Sequence, residues 1–144
     1  VDINPIVQRL RSELPADWVD IGGAAGLDVA IDAAPTTPVV YVLPLAESAE
    51  PGYLAGVHAQ PLRMAFGVLI AVQNVSDARG GAAQSELAVR RQQVRTALAG
   101  WTLPTDPDAT VSFAEGRLMQ FENGRLWWMD TYEASTQIWA PAQP

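Results

Sequence analysis

The sequence predicts an α+β fold: a single mixed, mainly antiparallel β-sheet packed against two principal helices. Three observations carry this. Two stretches, one at the start and one in the middle of the chain, repeat apolar residues at helical spacing. A long central run shows a clear period-two alternation, as a half-buried strand does. Near the end, Asn123-Gly124 separates two strand-like runs, the signature of a tight hairpin.

The opening helix is marked by Asn4, which can cap it, and Pro5, which suits a first turn. Ile3, Ile6, Val7, Leu10 and Leu14 share one face, and Pro15 ends the element. Residues 18–21 form a short expected strand, 22–26 a glycine-rich connection, and 27–33 a short helical stretch. Residues 39–45 are β-branched and apolar, hence a buried strand, with Pro44 marking an edge or bulge. Residues 46–56 are expected to be a polar loop, mobile until the protein assembles.

The long strand runs over about 57–74. Leu62, Met64, Phe66, Val68, Ile70 and Val72 take one face, and Arg63, Ala65, Gly67, Ala71 and Gln73 the other. Pro61 implies that its first part is bent, unpaired or at an edge. After a turn at 76–81, a helix over about 83–99 has a stripe of Ala83, Leu87, Val94, Leu98 and Trp101, ended by Gly100. Arg90 falls inside that stripe, as a snorkelling side chain or as half of a subunit-contact ion pair.

Residues 110–114 are expected to be a strand and Glu115-Gly116 a turn, followed by a hairpin of strands over 117–122 and 125–138. A two-residue turn sets Glu122 opposite Arg125, Phe121 opposite Leu126 and Gln120 opposite Trp127. Met119, Leu118 and Arg117 then face Trp128, Met129 and Asp130. Gln120, Arg125, Trp127 and Met129 thereby share an outer face, half polar and half apolar, that suits a partner's surface. Trp127 is either covered by a loop of its own chain or is a hot spot of self-association. Residues 140–144 are expected to be a frayed tail.

Length and composition bound the rest. The 144 residues make one domain, 1–144, with a sizeable core. The longest apolar run, 66–72, is far too short to span a bilayer, so no membrane partner is expected. Val1 is taken to follow a removed initiator Met, with no signal peptide before it. The hydrophobic fraction is 49% but only 17% of residues are charged, which favours a protein that covers part of its surface with partners.

All nine basic residues are arginine, and cysteine is absent. Thiolate chemistry, cysteine–zinc sites, Schiff bases and phosphate-loop lysines are therefore excluded. His58 is the single histidine, beside a loop, with no G-x-S-x-G serine to serve. Gly22-Gly23-Ala24-Ala25-Gly26 lacks dinucleotide spacing, and Asp106-Pro107-Asp108 lacks further calcium ligands. No enzyme activity, catalytic residue, metal or cofactor is expected. A net charge of −7 disfavours wrapping nucleic acid but suits the wall of a passage through which DNA slides.

An ordered set of segments resembles the tail terminator proteins of tailed bacteriophages. It begins with the amphipathic opening helix, Tyr41-Val42-Leu43-Pro44-Leu45, and the strand holding Phe66-Gly67-Val68-Leu69-Ile70-Ala71-Val72. Asp77, Gly80-Gly81, then Ala97-Leu98-Ala99-Gly100-Trp101 and Pro104 follow, with Gly116-Arg117-Leu118 and Gly124-Arg125-Leu126-Trp127-Trp128-Met129-Asp130 last. The resemblance implies a mixed sheet flanked by helices and a non-catalytic virion protein of the tail and neck, assembled in the bacterial host cytoplasm. It implies a ring, typically a hexamer, on the head-proximal end of the tail tube, where it stops polymerisation and receives neck or connector proteins. The partners implied are further copies of itself, the tail tube protein, the neck or connector proteins and, in a contractile tail, the sheath protein. DNA would pass through the lumen without specific binding. Another neck component, such as a head–tail joining or tail-completion protein, is the alternative; a small ligand-binding module or enzyme is a more distant one. The interface residues expected are Trp127, Arg125, Gln120, Met129, Arg90, Tyr53 and His58.

Overall fold

Pro5 and the 3–4 spacing of Ile6, Val7 and Leu10 start helix α1, Asn4–Glu13, in this computed structural model. The structure describes residues 2–33, 36–52, 57–73, 81–122 and 125–141. Asn4 does not cap α1. It is the first helical residue, and the Asp2 carboxylate accepts its N–H at 3.0 Å instead. Leu14 turns to extended backbone ahead of Pro15 and stops the helix.

The remaining elements are β1 (Asp20–Gly23), α2 (Leu27–Ala33), β2 (Val39–Ala49), β3 (Val57–Gln73), α3 (Gly81–Leu98), β4 (Ser112–Glu122) and β5 (Arg125–Pro141). The sheet order is β1-β2-β3-β5-β4. β1 runs parallel to β2, and every other neighbouring pair is antiparallel. The expected α+β class therefore stands, with both principal helices on one face.

That face holds the larger core. Phe66, Val68, Ile70 and Val72 of β3 meet Ile6, Val7 and Leu10 of α1 and Leu87, Val94 and Leu98 of α3. Gly100, at φ +82, takes the left-handed conformation that ends α3 without a side-chain penalty. The alternate residues of the same strands build a second cluster on the opposite face. Val39, Tyr41, Leu43, Leu69, Ala71, Trp127 and Met129 pack there with Ala30 of the short helix α2.

Three expectations about the strands are corrected. β2 continues through residues 46–49, which pair with Ala65 to Leu62 of β3, so the expected loop begins later. A register shift after Pro44 accommodates the proline, as its missing N–H requires. Glu115-Gly116 is not a turn, because β4 is continuous through it. β5 runs to Pro141, so residues 140–141 belong to a strand rather than a frayed tail.

The hairpin register follows expectation for three pairs, Glu122–Arg125, Phe121–Leu126 and Gln120–Trp127. A bulge between Leu118 and Gln120 then moves the next pairs by one, and a second between Phe113 and Glu115 adds another step. Leu118 faces Trp128, Arg117 faces Met129 and Gly116 faces Asp130. Because side chains alternate, the slip carries Met119 to the face of the second cluster. The Asn123-Gly124 turn itself lies outside the described residues.

Candidate interaction surface

The arginines of α3 decide which side chains remain available on the helical face. Arg91 Nη2 donates to Asp130 Oδ1 at 2.8 Å, while its Nε lies 3.0 Å from Oδ2. Trp128 Nε1 donates to the same Oδ1 at 2.8 Å, and the guanidinium stacks 4.6 Å over the Trp128 ring. Asp130 is fully buried in this arrangement. From the preceding residue of α3, both terminal nitrogens of Arg90 bond the Asp17 carboxylate, at 3.0 and 2.9 Å. Arg90 also lies over Trp18, and its hydrogen bond is the main cause holding the Asp17 carboxyl below its ordinary value. Arg95 stacks over Phe113, and Arg9 of α1 stacks over Trp101.

Two tyrosines are held neutral by their surroundings. Burial, then the hydrogen bond to Asp20 Oδ2 at 2.8 Å, pushes Tyr41 up to about 12. Burial, followed by the nearby Asp130 charge, pushes Tyr132 up to about 12. The Tyr132 ring is sandwiched, stacked on Phe66 and edge-on to Phe113, and its hydroxyl makes no hydrogen bond of good geometry. Arg95 is near enough to act on it electrostatically but not to satisfy it. These groups are pieces of a packed interior and lie apart from any cleft described here.

The expected interface residues separate on inspection. Trp127 is 1% exposed, in the second cluster under α2, and Met129 is buried beside it. Of the two readings open for Trp127, the structure shows cover by its own chain, through Ala30 of helix α2 with Ala24 and Ile31 packed alongside. Arg90 is buried in an ion pair with Asp17 of its own chain rather than snorkelling to water. Gln120 is exposed and Arg125 half-buried near the hairpin end. His58 pairs with Ala140 along β3 and β5, its side chain lying outside the described residues, as Tyr53 does entirely.

A surface that the sequence reading missed lies at the other end of the long strands. β2 pairs with β3 only as far as Leu62, and β4 with β5 only as far as Glu133. Beyond those points β3 and β5 continue as a two-stranded ribbon, from Pro61–Gln137, where the Glu50 N–H still bonds the Pro61 carbonyl at 3.1 Å, to Val57–Pro141. Trp139, at 63%, is the most exposed of the large apolar residues described, and Ile138 is exposed next to it. The available signal was the apolar pair Ile138-Trp139 at the end of the strand expected over 125–138. Other exposed apolar residues, such as Leu118 and Phe113, sit on β4, where two bulges and the charges of Glu115 and Arg117 blunt an open sheet edge.

No group of three or more His, Asp or Glu placed to hold a metal occurs among the described residues. The small apolar cavity among Ile6, Met64, Phe66 and Leu103 has about 80 Å³, too little for an ordinary ligand. A family model described as phage tail terminator protein matches residues 1–142. The chain belongs to that family. No curated protein matches it individually. As a phage tail terminator family member it is a structural tail protein, and its association with other tail components follows from that membership. Among the described residues, no helix is long and apolar enough to cross a membrane.

Proposed function

We propose that this chain forms a ring, a hexamer on the family pattern, that caps the head-proximal end of the phage tail tube. The ring ends tube polymerisation and offers its opposite face to neck or connector proteins, and in a contractile tail to the sheath protein. The observation that carries this reading is the family match over residues 1–142, nearly the whole chain.

The physical requirements are consistent with the surfaces described. Ring neighbours meet through unlike patches that close on themselves. One annular face must bind the tube and the other must not, or growth would continue. Carboxylates of a chain of net charge −7 keep DNA from sticking to the lumen. Gln120 and Arg125, outside the hairpin core, belong to the contacts between neighbours in this proposal.

The test is mass measurement and negative-stain imaging of the purified chain, alone and mixed with tail tube polymers. Six-fold rings seated at one tube end are expected. A protein that stays monomeric and never joins tubes would sink the reading, and binding to the portal or its adaptor without binding to tubes would assign it to head–tail joining instead.

A further inference from the structure

Every tryptophan but one has a place in the fold. Trp18, Trp101 and Trp128 each lie under a guanidinium, and Trp127 is buried in the second cluster. Trp139 has neither, and stands out on the ribbon of β3 and β5. Ile138 and Trp139 are successive, so they point to opposite faces, and the ribbon is apolar on both sides. It extends roughly 15 Å past the neighbouring strands, given five residue pairs at strand spacing.

The composition of that ribbon says what it meets. Residues 57–62 and 134–141 hold no Asp, Glu or Arg, in a chain with sixteen acidic residues and nine arginines. Strand edges that must stay solitary are guarded by charges, and this one is not. Two copies of a chain carrying −7 repel wherever their carboxylates face each other. Surfaces free of acid let them meet without that cost.

A second such surface exists elsewhere on the molecule. An open cleft of about 410 Å³ lies between α1 and the β1 edge, walled by Ile3, Val7, Gln8, Arg11, Ala24 and Pro44. None of its lining residues is acidic. Arg11 is held at the cleft by a hydrogen bond from its Nε to the Ile21 carbonyl, at 3.0 Å. An aromatic ring entering there would meet a guanidinium, the pairing this chain already makes four times.

We infer that the ribbon of one copy inserts Trp139 into the α1–β1 cleft of the next copy, against Arg11. The contact rests on the ring reading above. It joins unlike patches, as a closed ring requires, and it makes Trp139 the anchor of the subunit contact.

The chain has no native cysteine, so single-cysteine variants of the full-length protein report contacts cleanly. Gln137 shares the ribbon face of Trp139, and Gln8 lines the cleft; both are exposed. Gln137→Cys chains mixed with Gln8→Cys chains, under conditions where wild type assembles on tail tubes, should cross-link between copies. Partners carrying Val89→Cys, on the exposed side of α3, should not. Trp139→Ala should weaken assembly at least tenfold with an unchanged melting curve, and Trp139→Phe should restore most of it. Assembly of Trp139→Ala equal to wild type, or cross-linking to Gln8→Cys no better than to Val89→Cys, overturns the inserted ribbon and leaves the ring standing. Wild type that assembles under no condition overturns both. Should Trp139→Ala fail to fold, the cross-link decides, since its cysteines replace exposed glutamines.

Discussion

Arg91 on α3 and Asp130 on β5 are joined by a fork of hydrogen bonds, with Nη2 2.8 Å from Oδ1 and Nε 3.0 Å from Oδ2. The pair fastens the helix across the sheet, between residues far apart in sequence. Its two members are not equivalent. Asp130 is sealed from solvent, whereas a quarter of the Arg91 side chain reaches it. Removing Arg91 strands a buried carboxylate with only Trp128 to bond it. Arg91→Met is therefore expected to cost about 3–5 kcal/mol, and Asp130→Asn distinctly less. Urea unfolding of the two variants checks the order.

The same network explains a glycine. A Cβ on Gly116 would run into Asp130 Oδ1 and stand 2.9 Å from both Arg91 Nη2 and Trp128 Nε1. Gly116→Ala must push the carboxylate out of its fork, and a loss of about 2 kcal/mol or more is expected. An equally stable Gly116→Ala protein would show that the network can shift freely.

Trp127→Ala is expected to destabilise the subunit by about 3–5 kcal/mol, because it empties a fully enclosed site. Thermal unfolding measures this directly. Any loss of assembly in that variant follows from folding, which is why exposed Trp139 is the better probe of contacts.

Tyr132 has a pKa raised to about 12 by burial, against about 10 when unfolded. Its contribution to stability is complete below pH 10 and is lost as the pH rises through the folded value, since the unfolded chain releases the proton first. Tyr41 acts in the same direction. Stability should therefore fall between pH 10 and 12, and Tyr132→Phe should soften that fall. At neutral pH the variant should gain up to about 1 kcal/mol, since it removes a buried hydroxyl with no good partner. Absorbance titration of tyrosinate alongside denaturant melts tests both.

At the acid end Asp17 behaves oppositely. Its pKa is lowered, chiefly by the hydrogen bond from Arg90, so its support is present above the ordinary carboxylate value and fades as pH falls through the lowered one. Asp17→Asn should flatten that part of the acid limb. An unaltered acid limb would place its origin in other carboxylates.

What the sequence determined alone was local and periodic. Apolar spacing set α1, α2, α3 and the long strand β3 within a few residues, because each period follows from backbone geometry and one buried face. Pro44 announced its register shift, since a proline has no N–H to give a sheet. Gly100 announced the end of α3. The tertiary structure alone decided the rest. A single bulged residue reversed the faces of β4 from Leu118 to Glu115, and no periodicity reveals an extra residue whose signal is one step of phase. Gly116 looked like a turn because a close approach and a turn both demand glycine, and only the arrival of Asp130 and Arg91 tells them apart. Trp127 and Trp139 had the same local claim to be buried. Which one was covered depended on where α2 packed and where β2 and β4 stopped, long-range facts that set the accessible surface of β5.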